Sequence, residues 1–248
     1  MAARAVRIIG PGRAGLSLAR GLDKAGCVVL DVLGRGDVAD AGVGADLLVI
    51  ATPDDVVASV AASVAPADGC VVAHLAGALG LDVLAPHRRR ASIHPLRSLP
   101  TTSSDLAGAW FAVAGDPLAG EVVADLDGRL VEVADDDRTT YHAAAVMASN
   151  HLVALLGAVE RVAARAGVPL DAFLDLVRGT VDNVSALGPA GALTGPVARG
   201  DRDTVARHLA VLPEAERTTY EALNAAATHL LSGASGAPGD HPRPRAGL

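Results

Sequence analysis

One stretch constrains this chain more than any other: Val6-Arg7-Ile8-Ile9 runs directly into Gly10-Pro11-Gly12-Arg13-Ala14-Gly15, and from there into Leu16-Ser17-Leu18-Ala19. An apolar strand, a Gly-x-Gly-x-x-Gly corner and a helical spacing in immediate succession are the pattern of a strand-to-helix turn that seats a diphosphate. Each glycine has its own steric task. Gly10 allows the tight turn, Gly12 keeps a Cβ out of the path of a pyrophosphate, and Gly15 lets the helix lie close to the strand. Pro11, Arg13 and Ala14 complete the corner, where unpaired N–H groups and the positive end of the helix dipole face an anion.

A second corner reads the ribose. An acid about 20 residues on selects NAD, whereas an arginine nearby accommodates the 2′-phosphate of NADP. Arg35 lies 20 residues beyond Gly15, in Leu33-Gly34-Arg35-Gly36, and Asp31 lies 16 beyond. This spacing favours Arg35 and NADP (NADPH), with Asp31 keeping NAD open. The apolar run Asp46 to Ala51 ends in Thr52-Pro53-Asp54, at the carboxyl edge where open α/β sheets bind ligands, so these three are expected along the cofactor. Asp54 also suits a helix N-cap.

Strands are expected at 6–9, 28–33, 47–51, 71–74, 91–93, 110–114 and 130–133, separated by alanine-rich helical segments. That alternation is the signature of an α/β Rossmann domain with a parallel sheet. After Val133 the pattern changes. Asp135-Asp136-Asp137 supplies N-cap chemistry for a long helix ending at Gly167 and Pro169, and further helices are expected over 169–179, 203–212 and 214–231. The expected division is 1–134 for the nucleotide domain, 135–232 for a smaller all-α domain and 233–248 for a disordered tail rich in Gly, Pro and Ser.

Composition narrows the chemistry. A net charge of -7 with scattered arginines argues against a nucleic-acid partner, and Arg88 to Arg90 read as a solvated loop. Cys27 and Cys70 each open an apolar run and are expected as small buried hydrophobes, with no metal cluster and no disulfide framework. With no signal-like opening segment and no apolar stretch expected to span a bilayer, the expected setting is cytoplasmic, without a membrane. Lys24 is the single lysine, which excludes any mechanism needing one from the second half.

Two histidines follow successive strands at the nucleotide edge: His74, in His74-Leu75-Ala76-Gly77, and His94, before Pro95. His74 and Gly77 are expected along the cofactor, and His94, biased to extended backbone by Pro95, is the stronger general-acid candidate. His142 and Asn150 lie eight residues apart on roughly one face of the long helix, where an asparagine amide suits a carbonyl oxygen. A helix-to-helix hydrogen bond would serve Asn150 equally well. Asn183 and the segment Ala192 to Asp201, with Thr194, Gly195 and Arg199, interrupt the later helices as candidate substrate ligands, Arg199 for a carboxylate or paired with Asp201.

The glycine corner, His74-Leu75-Ala76-Gly77, Ile93-His94-Pro95-Leu96, Tyr141-His142-Ala143-Ala144-Ala145, Ser149-Asn150 and Ala192 to Asp201 together resemble the bacterial family of Rossmann-like proteins with a DUF2520 C-terminal domain. That family is a relative of the 6-phosphogluconate dehydrogenase-like superfamily. The resemblance implies an NADP domain followed by an all-α 6-phosphogluconate dehydrogenase-like domain, a homodimer through those helices, and an alternative type of ketopantoate reductase in pantothenate biosynthesis. Ala76 stands where the family pattern has serine. The first long helix lacks the lysine of better-known ketopantoate reductases, so a proton must come from elsewhere. His94-Pro95 also looks like the motif of prephenate dehydrogenases. The resulting expectation is NADPH-dependent reduction of a small 2-keto acid, with His94 or His142 as acid; the alternatives are a non-catalytic NADP(H)-binding sensor or partner protein and a prephenate-like hydroxy-acid dehydrogenase.

Overall fold

The computed structural model describes residues 3–234 and forms two compact units, 1–151 and 152–248. In the first, seven strands lie in the order β2-β1-β3-β4-β5-β6-β7: β1 (Ala5–Ile9), β2 (Val28–Leu33), β3 (Leu47–Ile50), β4 (Val71–His74), β5 (Arg90–Pro95), β6 (Trp110–Gly115) and β7 (Arg129–Glu132). The first five are parallel, β6 runs antiparallel to β5, and β7 is parallel to β6. The reversal follows from the connection: residues 96–109 contain no helix, so no crossover is made and the chain returns beside the strand it has just left.

The sheet is covered on both faces, which is why its central strands are continuously apolar rather than alternating. Leu47 and Val49 of β3 pack with Leu18 and Leu22 of α1 (Arg13–Lys24) and with Val122 and Val123 of α3 (Leu118–Asp125). Leu48 and Ile50 turn the other way, onto Val57 and Ala61 of α2 (Val57–Ser63). Cys27 and Cys70 are free and buried in these two cores, as expected. Arg88 and Arg89 lie exposed in the loop before β5, as expected, with Arg89 Nε and Nη2 donating to the two carboxylate oxygens of Asp116 at 2.8 and 3.0 Å, whereas Arg90 opens β5.

The segment after β7 belongs with the sheet. A 3₁₀ turn at Asp135–Asp137 leads into α4 (Arg138–Val146) and a π-helical turn (Met147–His151), all inside the first compact unit. The expected boundary at Ala134 marks the last strand, whereas the compact unit extends to His151. Contacts of Asp135 and Arg138 with the chain after β4 hold this segment in place, and they are invisible to composition.

The second unit is helical: α5 (Leu152–Ala164), α6 (Leu170–Ala192), α7 (Gly195–Ala198), α8 (Arg202–Val211) and α9 (Glu214–Ala234). α6 kinks at Gly188 (φ 71°) ahead of Pro189, and α8 is capped by Asp201, whose carboxylate accepts the Thr204 N–H. Arg161 donates to Glu216, only 8% exposed, at 2.7 Å. Of the expected tail, Gly233 and Ala234 instead finish α9, and residues 235–248 lie outside those described. The helical run Asp135–Ala164 meets the length and mean hydropathy (1.4) of a bilayer span, contrary to the expectation that no stretch does. Alanine supplies much of that hydropathy, and the same run carries Arg138, His142, Asn150 and Glu160, groups that are costly in hydrocarbon.

The glycine corner depends on close main-chain approach. A Cβ on Gly15 would sit 2.1 Å from the Gly10 carbonyl oxygen, whereas one on Gly12 meets nothing within 4 Å. Gly15→Ala is therefore expected to lower stability by about 1–3 kcal/mol in urea denaturation. Gly12→Ala should leave the midpoint unchanged while weakening nucleotide binding at least about tenfold, read by fluorescence titration with NADPH.

Candidate active site

The strand order reverses between β1 and β3, and the crevice outside their carboxyl ends is where doubly wound sheets bind ligands. Gly10 (φ +117°) makes the turn there. Its missing Cβ would stand 2.6 Å from the Ala51 carbonyl oxygen, so the chains leaving β1 and β3 touch through bare backbone. α1 starts at Gly12 with no side chain capping its first turn, and Pro11, Gly12 and Arg13 are exposed there. Gly15 is buried under the helix. The form is that of a diphosphate cradle: open space at Gly12, uncapped N–H groups and a buried Thr52 hydroxyl without a hydrogen-bond partner.

At the second corner Gly10 N–H donates to the Leu33 carbonyl, at 2.8 Å, and this brings Gly34, the residue before Arg35, beside Pro11. Arg35 is exposed. Asp31 lies within β2, 3.6 Å from Arg7 Nε in an ion pair. Pro53 and Asp54 are exposed after β3; Asp54 opens a 3₁₀ turn and makes no capping hydrogen bond. The residues present thus fit a dinucleotide, with a guanidinium at the ribose corner.

Beyond β4 and β5 a polar cluster forms. His94 Nδ1 and Tyr141 Oη are 2.7 Å apart, and the rings meet edge to face. His142 also packs edge-on against His94, with centroids 5.8 Å apart. Both imidazoles rest on Gly77, where a Cβ would come within 2.4 Å of His142 Cδ2 and 3.0 Å of His94 Nε2. Gly77 is thus needed by the histidine pair. Tyr141 was not among the expected site residues. Its one legible signal was its place beside His142, at a helical position facing no obvious partner in the sequence.

His74, expected along the cofactor, is instead wholly buried. Its Nε2–H donates to the Gly80 carbonyl at 3.2 Å, leaving Nδ1 without a partner in the interior. Asp135 accepts the Leu81 N–H at 2.9 Å, and buried Arg138 donates from Nη1 to the Ala76 carbonyl at 3.4 Å. These two residues tie the turn carrying Ala76 and Gly77 to the start of α4. Arg138 too escaped the sequence reading, because an arginine after three aspartates reads as a surface ion pair.

Asn150 is exposed in the π-helical turn, where Ser149 Oγ lies 2.7 Å from the Ala145 carbonyl and 2.9 Å from Asn150 Oδ1. The wider turn, not straight-helix spacing, sets its phase relative to His142. Among the described residues no hydrogen bond joins Asn150 to either histidine. In the second unit Asn183 is exposed within α6 and interrupts no helix, Thr194 and Gly195 open α7, and exposed Arg199 ends it. Asp201 is committed to capping α8, so the expected pairing with Arg199 is replaced by hydrogen bonds from Thr204.

Burial dominates the electrostatics. It pushes His94 down to about 4 from 6.5, helped by the charges of His142, Arg138 and His74. Burial likewise lowers His74 to about 4, with Arg138 acting in the same direction and the Gly80 carbonyl opposing. The Tyr141 phenol is raised by burial, and Arg138 opposes that rise. Both of these histidines are neutral at pH 7.

A doubly wound sheet with a glycine corner at its switch point, followed by helices, is a Rossmann fold joined to an all-α unit. Residues 111–227 match the family described as domain of unknown function (DUF2520), in agreement with the resemblance carried by the sequence motifs. No curated protein matches. Among solved structures, a Bacteroides fragilis protein assigned as an NADP oxidoreductase is similar at 19% identity, with a TM-score of 0.77 over 92% of this chain and 98% of that one. Protein TM1727 of Thermotoga maritima has 20% identity and a TM-score of 0.70, covering 93% and 99%. Pyrroline carboxylate reductase of Plasmodium falciparum, solved with NADP bound, has 14% identity and a TM-score of 0.64, covering 94% and 97%. At these identities the likeness is one of fold.

The neutral histidines make stability depend on pH. In the unfolded chain they take up protons near 6.5, but in the fold only near 4. Between those values the unfolded chain binds more protons, so stability that is complete above about 6.5 declines as pH falls toward about 4. Urea midpoints measured across that range should fall, and His74→Asn should flatten the decline. A slope in His74→Asn equal to the parent's would refute the assignment.

Proposed function

We propose that this chain is an NADPH-dependent reductase of a small 2-keto acid, with ketopantoate the leading candidate. The observation that carries the reading is the 2.7 Å contact of Tyr141 with His94, set against Gly77 at the carboxyl edge of a Rossmann sheet. The glycine corner, with Thr52, Pro53 and Asp54, would hold the nucleotide, and Arg35 its 2′-phosphate. When bound, NADPH supplies the hydride that adds to the carbonyl carbon.

Keto reduction also needs a proton, and no lysine is present beyond Lys24 to give it. We assign the Tyr141 hydroxyl as the donor to His94 Nδ1, 2.7 Å away, an assignment that puts the imidazole proton on Nε2, the atom beside Gly77. The alkoxide oxygen takes that Nε2 proton as the carbonyl π bond breaks, and Nδ1 takes the phenolic proton of Tyr141. Solvent then restores the phenol. A phenol is the stronger acid relative to an aliphatic alcohol, so the transfer runs downhill. His142 orients the His94 ring from its edge. Asn150 is proposed to hydrogen-bond the carbonyl oxygen and Arg199 to hold the carboxylate, with Asn183, Thr194 and Gly195 as further substrate ligands.

The reading invokes no nucleic acid and no membrane, and we assign the protein to the cytoplasm. We further propose a homodimer through the helical unit, whose α6 exposes Leu176, Val181 and Leu187. NADPH oxidation should be seen with ketopantoate in a panel of 2-keto acids. Tyr141→Phe should lower kcat by about 10²–10⁴ with NADPH affinity unchanged. NADPH binding without turnover on any 2-keto acid would count against the reductase and favour a nucleotide-binding sensor.

A further inference from the structure

Arg138 is a fully buried cation that the reaction outlined above does not use. It is the first residue of α4, and its side chain is 0% exposed. Among the described residues its only side-chain hydrogen bond is the 3.4 Å contact with the Ala76 carbonyl, and the nearest carboxylate oxygen, on Asp135, is 4.0 Å from Nε. Nε and Nη2 have no hydrogen-bond partner among those residues. Burying a guanidinium with so little compensation is costly, so the position calls for a use of the charge itself.

The groups around it supply one. Tyr141 is one turn along α4, on the same side of the helix as Arg138. His94, on β5, is hydrogen-bonded to Tyr141, His142 packs against His94 from α4, and His74 reaches the same cluster from β4. Asp135 is the acid nearest Arg138, but its carboxylate is 41% exposed and accepts the Leu81 N–H. A fixed positive charge here acts with opposite sign on the two kinds of neighbour. It favours an anionic phenolate and disfavours a cationic imidazolium.

We propose that Arg138 is a positioning residue for the Tyr141–His94 relay: its charge stabilises the phenolate left when Tyr141 gives up its proton and adds to the burial that leaves His94 and His74 uncharged, and its Nη1 ties the Ala76–Gly77 turn to α4. This rests on the relay described under the proposed function. Without the charge, the phenolate is left in a buried site with nothing to offset it, and His94, held neutral chiefly by burial, moves closer to protonation. The relay then loses speed.

The test is a titration that needs neither substrate nor nucleotide. The chain has two tyrosines, so Tyr220→Phe leaves Tyr141 as the only phenol seen in ultraviolet titration. In that background Arg138→Gln should move ionisation of Tyr141 upward by about one pH unit and, by NMR of the imidazole ring, move protonation of His94 upward by a similar amount. Arg138→Lys, which keeps the charge, should recover part of both shifts. In assays with a 2-keto acid that is turned over, Arg138→Gln should lower kcat about tenfold or more with little change in KM. Unchanged titration of Tyr141 and His94 in folded Arg138→Gln, or an Arg138→Lys protein that titrates like Arg138→Gln, overturns the proposal. If Arg138→Gln does not fold, Arg138→Met, which keeps much of the side-chain volume without the charge, is read in the same way: upward shifts of Tyr141 and His94 support the assignment, and unchanged titration overturns it. These outcomes do not depend on turnover, so failure of the reductase reading and failure of the Arg138 assignment are separately visible.

Discussion

Everything at the functional edge depends on main chain meeting main chain where β1 and β3 end. Gly10 and Gly15 touch each other, and Gly10 touches Ala51, at distances that no side chain permits. That approach sets α1 on the sheet, aims its first N–H groups into the crevice, and brings Leu33 onto Gly10 and Gly34 alongside Pro11. It also explains the contrast between glycines. Gly15 is needed for the fold, whereas Gly12, free of neighbours, is needed only for what enters from outside.

The polar cluster beyond β4 and β5 is the same principle applied to side chains. Gly77 gives up its Cβ space to two imidazole rings, and Gly80 gives up its own to Asp135. Small residues in one turn thereby let His142 of α4 and Asp135 of the turn before it reach the sheet edge. Burial then sets the charge state, because an imidazole withdrawn from water resists protonation, so His94 is neutral at pH 7 beside the Tyr141 hydroxyl.

Much of the first unit could be read along the chain. Strands such as Val28–Leu33 and Val71–His74 emerge from β-branched runs bounded by glycine, and the corner after β1 from the spacing of three glycines. The reversal of β6 could not be read in this way, because a strand's apolar pattern is the same in either direction and only the missing crossover helix decides it. Asn183 was read as a break because amides favour turns, yet α6 continues through it, since an exposed polar residue costs a helix little.

By itself the sequence determined the doubly wound start, the glycine corner and the place of His94 at the carboxyl edge of the sheet, because each is written in contiguous residues whose steric needs are local. Tertiary structure alone decided that His74 turns inward, that Tyr141 meets His94 across 47 positions of chain, and that Arg138 lies buried beneath Ala76. The physical reason is that burial and partnership are properties of the packed whole. Whether an arginine faces water or an interior, and whether an imidazole is charged, depends on groups that approach from distant strands and helices, which no local spacing records.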